Sequence, residues 1–447
     1  MRRLPTMAIA LLHTVVLSSG FGQDAGNQPR PFVQIQAQEP PPTVRAIAPI
    51  DDSNVFFLDK RGRIGVAKFS PGLSLIGWQP YSDVRLDALP ELAVGPGYSV
   101  ITASSSELTQ AFDTDQDGEV DFFQALLREW PGSGQGVAIT AGPVADPFGR
   151  ILFALSPFLE KSETADTAEE EPTEAPPPPT PKARLVAWHP ESASLVTVTE
   201  SQLPIHDFAV DSRGLLAARL SMPNYKDGYY ISLTQLPPFD PATPQAAPDP
   251  IPFTLPSLLI PAELTQGNPP TQLAFLHEEG REKLLAVCPA SRQLIEVVPT
   301  LSDGVWQGSI LLRSVFDGAI ETVSEITPGQ LLGGGDEGFL PIDLESGAFR
   351  IQSVDVEADG IVLAFTHPVD RQEAVRPDSY SVRAVSLRGG DAPLTVHPVI
   401  ESDGRSVILK SEQLQAGTVL RVVCTRVPSE TGETLLSSAV FYTIHRR

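Results

Sequence analysis

Short apolar runs separated by turn residues dominate the chain from about residue 44 onward. One unit recurs: an apolar strand, a turn carrying Asp or Gly, and a second apolar strand. It appears at 48–66, with Asp51 and Asp52 in the turn, and again at 92–102, 137–155, 208–220, 273–287 and 323–342. The first three starts are about 45 residues apart, the repeat expected of four-stranded propeller blades, and the later ones are wider. Six such units predict a six-bladed β-propeller over 44–350. From 351 the rhythm shortens. Runs at 351–356, 361–365, 379–386, 394–400, 406–409, 419–423 and 439–444 read as seven strands, some divided by turns at Gly360, Gly389 and Gly404. Seven strands in about 100 residues predict an immunoglobulin-like β-sandwich over 351–447. The expected fold class is all-β. Composition agrees, since 44 Pro and 34 Gly suit many short strands and turns better than long helices.

Three stretches break the pattern. Residues 1–22 read as a signal peptide: Arg2 and Arg3 precede the apolar run 7–17, and Ser18, Ser19, Gly20 and Gly22 offer small residues for cleavage. That run is too short to span a bilayer, so the expectation is an exported protein, periplasmic or extracellular, with no membrane span. Residues 23–43 are polar, end in prolines and read as a tether. Residues 160–182 carry seven acidic residues before Pro176–Pro179 and read as a disordered insertion between strands. A second proline-rich stretch, 237–256, reads as a surface connection. The net charge of −23 argues against a nucleic-acid partner. Only Cys288 and Cys424 are present; they could pair in an oxidising compartment or serve as two small buried hydrophobes.

The acidic run 113–121 holds the strongest candidate chemistry. Asp113, Asp115 and Asp117 alternate ahead of Gly118, followed by Glu119 and Asp121. That spacing suits calcium: three carboxylates, the Glu119 carbonyl, and an oxygen of Asp121 directly or through water. Gln124 stands at the twelfth position, where an EF-hand carries a bidentate Glu, so the alternative is a solvated acidic turn. His206 and Asp207 open a predicted inner strand, where a base held by a carboxylate could face the channel; a structural histidine is the alternative. The run GGGDEG at 333–338 satisfies G-x-G-x-x-G, but a strand follows where a dinucleotide site needs a helix. Trp78, Trp130, Trp188 and Trp306 could stack on sugar rings or fill gaps between sheets.

Several runs resemble a secreted planctomycete-type propeller family related to the pyrroloquinoline-quinone glucose/sorbosone dehydrogenases. They are FDTDQDGEVD at 112–121, GPVADPFGRILFAL at 142–155, GVWQG at 304–308 and GIVLAFTHPVD at 360–370. The resemblance implies a propeller with a C-terminal sandwich, calcium and a quinone cofactor. It also implies a catalytic histidine a few residues before the Gly142-Pro143 turn, where this chain carries Gly134 and Gln135. Glutamine accepts no proton near neutral pH. The expected role is therefore a non-catalytic binding or scaffolding protein for a carbohydrate or another exported protein. The alternative is a quinone-dependent sugar or polyol oxidoreductase with His206 as base.

Overall fold

The computed structural model describes residues 42–445, apart from 116, 131, 134–135, 158–181, 191, 221–227, 237–250, 253–256, 279–280, 317, 345–346 and 387–390. The expected signal peptide, nearly all of the tether and the 160–182 insertion fall outside the described residues, as do Gly134 and Gln135. The chain is all-β. Among the described residues no helix is long and apolar enough to cross a membrane.

Six antiparallel sheets follow one another along the chain. The first comprises β1 (Val44–Pro49), β2 (Asn54–Asp59), β3 (Ile64–Phe69) and β4 (Leu75–Pro80). The second holds β5 (Leu92–Val94), β6 (Val100–Ala103), β7 (Leu108–Phe112) and β8 (Phe122–Leu127). The third holds β9 (Val137–Ala145), β10 (Ile151–Pro157), β11 (Ala183–His189) and β12 (Ser194–Ser201). The fourth is built from β13 (Ile205–Val210), β14 (Leu215–Leu220), β15 (Gly228–Gln235) and, after β16 (Ile251–Pro252), β17 (Leu258–Pro261). β16 pairs in parallel with β12, so the stretch expected as a mere connection also extends the third sheet. β18 (Gln272–Glu278), β19 (Arg281–Cys288), β20 (Gln293–Ser302) and β21 (Val305–Val315) make the fifth sheet, and β22 (Ile320–Thr327), β23 (Gln330–Gly335) and β24 (Gly338–Ile342) the sixth.

The leading strand of each sheet lies against that of the next, in the order β1, β5, β9, β13, β18, β22, and β22 returns to β1. Apolar residues fill the wedges between sheets. Phe56, Tyr81 and Val100 pack between the first two, and Ile101, Ile139 and Phe153 between the next pair. The circuit closes where Val44, Phe57 and Phe69 meet Leu332 of the sixth sheet. Middle strands such as β2 are buried on both faces because a sheet covers each side, and each buried Phe contributes about 1.5–3 kcal/mol. The glycine run belongs to this closure: a Cβ on Gly334 would stand 2.4 Å from Val44 Cγ1. The GGGDEG run is the β23–β24 hairpin, not a strand-to-helix turn.

One turn design recurs. Asp59, Asp146 and Asp211 each accept backbone N–H bonds through Oδ1 from the residues two and four further on, at 2.6–2.9 Å. Gly62, Gly149 and Gly214 supply the positive φ that closes each turn. Arg63 and Arg150 then bond the free carboxylate oxygen of Asp59 and Asp146.

Beyond 350 two four-stranded sheets face each other around one core. β25 (Ile351–Glu357), β26 (Gly360–Phe365), β27 (Tyr380–Ser386), β28 (Asp391–Leu394), β29 (His397–Ile400), β30 (Ser406–Lys410), β31 (Thr418–Cys424) and β32 (Ala439–Ile444) form them in the orders β25-β26-β30-β29 and β32-β31-β27-β28. The run 394–400, expected as a single strand, is divided between β28 and β29 on opposite sheets. The chain crosses at Thr395 and Val396, and buried Val396 plugs the corner. The expected break at 350 is also bridged. β32 pairs with β21 from Gly308↔Thr443 to Leu311↔Val440, making the fifth sheet and half the sandwich one eight-stranded sheet. Pairing covers an edge that would otherwise be open. Cys288 and Cys424 are free, buried thiols in separate cores, each pushed up to about 12 by burial.

Candidate functional site: the axial channel and the acidic turn

The leading strands surround a channel of about 360 Å³, lined from all six sheets by residues including Ile47, Glu91, Val144, Asp207, Leu273 and Glu325. Glu91 lies one residue ahead of β5. Its Oε2 accepts from Gly142 N at 2.6 Å, and its carboxyl is hydrogen-bonded to Asp207. Gly142 has φ +92°, and a Cβ there would meet Leu152 O at 2.8 Å, so the glycine permits this approach. Asp207 Oδ2 accepts from Leu273 N of β18. Arg219 stands opposite Asp207 across the β13–β14 ladder. The pair thus joins the second, third, fourth and fifth sheets at the hub.

Burial raises both carboxyls, and Asp207's charge raises Glu91 further; Arg219 opposes the rise at both. A shared proton is the arrangement two crowded carboxylates adopt. Arg219 is itself lowered by burial against the pull of Asp207 and Glu91. Its Nη2 donates to the His206 carbonyl at 3.3 Å.

His206 and Asp207 are not the pair their adjacency suggests. Successive strand residues face opposite ways. Asp207 is buried at the hub while the His206 ring reaches solvent. Desolvation by the crowding protein, then the charge of Arg219, hold His206 below the usual imidazole range. Asp211, the next carboxylate along the chain, is committed to its own turn and to Arg213. The hub partner of Asp207 is Glu91, which no local signal in the sequence marks.

The acidic turn joins β7 to β8. Ligand atoms of Asp113, Asp115 and Asp117 lie within 4.8 Å of one another. Gly118 N donates to Asp113 Oδ2 at 2.9 Å, and Glu119 N to Asp117 Oδ1 at 2.9 Å. Asp121 stands apart: its Oδ2 accepts from Thr114 N at 2.6 Å and from Thr114 Oγ1, which hold it below the usual carboxylate range. Three hard oxygen donors converging in one turn fit calcium. The turn rests on the first sheet through Val120 N to Tyr81 O at 2.8 Å and Gln79 Nε2 to Gly118 O at 3.3 Å. It leads into strand β8 rather than the exiting helix of an EF-hand.

All four tryptophans pack. Trp78 meets Phe57 edge-on, Trp130 and Trp188 are buried between sheets, and Trp130 Nε1 donates to Val137 O. Trp306 is partly buried against the core that spans the third to fifth sheets and also lines a cavity.

No family model matches the chain, and no curated protein matches it. Among solved structures, it is similar to a putative oxidoreductase (glucose dehydrogenase) from Thermus thermophilus, at 16% identity over 65% of this chain and 90% of that one, TM-score 0.43. A glucose dehydrogenase is similar at 14% identity over 69% and 98%, TM-score 0.43. A putative gluconolactonase is similar at 14% identity over 72% and 93%, TM-score 0.39.

Proposed function

We propose that this chain is an exported six-bladed propeller joined to an immunoglobulin-like sandwich, acting as a non-catalytic binding or scaffolding protein for a carbohydrate or another exported protein. The cyclic neighbourhood of the six leading strands supports the propeller. The sandwich orders β25-β26-β30-β29 and β32-β31-β27-β28 correspond to the A-B-E-D and G-F-C-C′ sheets of immunoglobulin-like domains.

The observation that carries the non-catalytic reading is the channel lining. Among the described residues its ionisable groups are Glu91, Asp207 and Glu325, with no Lys or Arg beside them in the lining. A quinone bearing three carboxylates would find no Lys or Arg in that lining to pair with, so the lining does not fit that cofactor. The hub carboxyls are moreover engaged by Gly142, Leu273 and each other. Calcium is assigned to Asp113, Asp115 and Asp117, where it would brace the turn against the first sheet.

The test is purified full-length protein incubated with pyrroloquinoline quinone, calcium, an artificial electron-accepting dye and a panel of aldoses. No dye reduction above the protein-free rate is expected. Saturable reduction that His206→Ala abolishes would establish the competing oxidoreductase reading.

A further inference from the structure

A second cavity, of about 750 Å³, lies where the fourth sheet, the fifth sheet and the sandwich meet. The β13–β14 turn contributes Ser212 and Arg213, β18–β21 contribute most of the wall, and β25 contributes Gln352 and Ser353. That volume falls within the range of about 300–1,000 Å³ typical of small-ligand sites, and module junctions are a common place for them.

The wall has two kinds of surface. Phe275, Val297, Val298, Pro299 and Trp306 form an apolar side; Glu278, Glu282, Lys283 and Glu296 form a charged one. The charges are largely compensated. Lys283 Nζ lies 2.6 Å from Glu278 and 3.3 Å from Glu296, and Arg313, fully buried behind the wall, pairs with Glu278. Burial disfavours ionised Glu278, but Lys283 and Arg313 outweigh it and hold its pKa below the ordinary range. A cavity balanced in this way selects no net charge.

Two carboxylate oxygens behind this wall, Glu296 Oε2 and Glu282 Oε2, lack a hydrogen bond among the described residues but are closed to the cavity; Arg313 Nη1 at 3.7 Å and Arg213 Nε at 3.5 Å face them. The charged heads that the cavity does reach are those of Glu278 and Lys283, 15% and 16% exposed. Hydroxyl groups on a neutral ligand can donate to one and accept from the other without adding charge. The indole of Trp306 offers a flat apolar surface to the C–H face of a ring that carries such hydroxyls.

The geometry points to this junction cavity as a binding site for a neutral saccharide. The inference rests on the binding reading above and names its ligand class and place, away from the axial channel.

The experiment is titration calorimetry of the full-length chain with neutral monosaccharides and oligosaccharides, repeated on three variants. Saturable binding is expected for the unmodified chain. Trp306→Ala should weaken it about ten-fold or more. Glu278→Gln should weaken it less, because the amide oxygen still accepts. Gln352→Trp, at an exposed lining position, should block the cavity while the thermal melt stays unchanged. Saccharide binding that survives both Trp306→Ala and Gln352→Trp would overturn the site, as would no binding across the panel. Either result leaves the non-catalytic reading in place, which falls only on quinone-dependent turnover.

Discussion

The protein crowds carboxylates in two places and resolves the repulsion differently in each. At the hub, Asp207 is buried and Glu91 half-buried, hydrogen-bonded to each other and tied to Leu273 and Gly142. In the acidic turn, Asp115 and Asp117 are exposed, and water or a cation can relieve the crowding from outside. The hub pair therefore acts on the fold through the proton it holds. The turn acts through the ion it can take up. Burial decides which solution is open, because an enclosed like-charge pair keeps a proton far more readily than it recruits a hydrated metal.

The largest effect should come from breaking the hub. Asp207→Ala leaves the Leu273 amide without its acceptor and Arg219 without the carboxylate facing it. A loss of about 3 kcal/mol is expected in urea unfolding; a loss below about 1 kcal/mol would show the pair to be incidental.

Next comes pH. Both hub carboxyls have raised folded-state values, so unfolding releases protons that folding retains. The stability they confer is full below about pH 4, falls as pH rises, and is lost once pH passes their raised values. Glu91→Gln keeps an acceptor for Gly142 and cannot ionise. Its melting temperature should fall less than that of the unmodified protein between about pH 5 and pH 9. Parallel curves for the two proteins would place the shared proton elsewhere.

A smaller effect is expected at the turn. Calcium should raise the melting temperature by a few degrees, chelator should reverse the rise, and Asp115→Ala should abolish both responses. A melt indifferent to calcium and chelator would leave a solvated acidic turn. Smallest of all is the third acidic stretch. Because β10 and β11 pair directly on either side of it, deleting 160–182 should leave the melt unchanged. Insoluble protein would contradict that.

The hairpins were legible because their cause is local. Apolar runs bounded by Asp59, Asp146 or Asp211 and the following glycine specify strand, turn and strand within about ten residues. The acidic turn was legible for the same reason, although Asp121 serves Thr114 rather than the cluster. Glu91 was not legible. It is a single Glu between Pro90 and Leu92, and its role depends on β13, which arrives two sheets later. His206 looked like the partner of Asp207 because the two are adjacent, yet adjacency along a strand is what separates side chains. The β21–β32 ladder and the junction cavity arise from segments remote in sequence, so no window of the chain could display them.

That ladder also sets how load passes between the two modules. Four consecutive backbone pairs, from Gly308↔Thr443 to Leu311↔Val440, cross the seam side by side. A pull that slides the two modules past each other along those strands is opposed by all four pairs together, instead of by the connecting peptide near residue 350 alone.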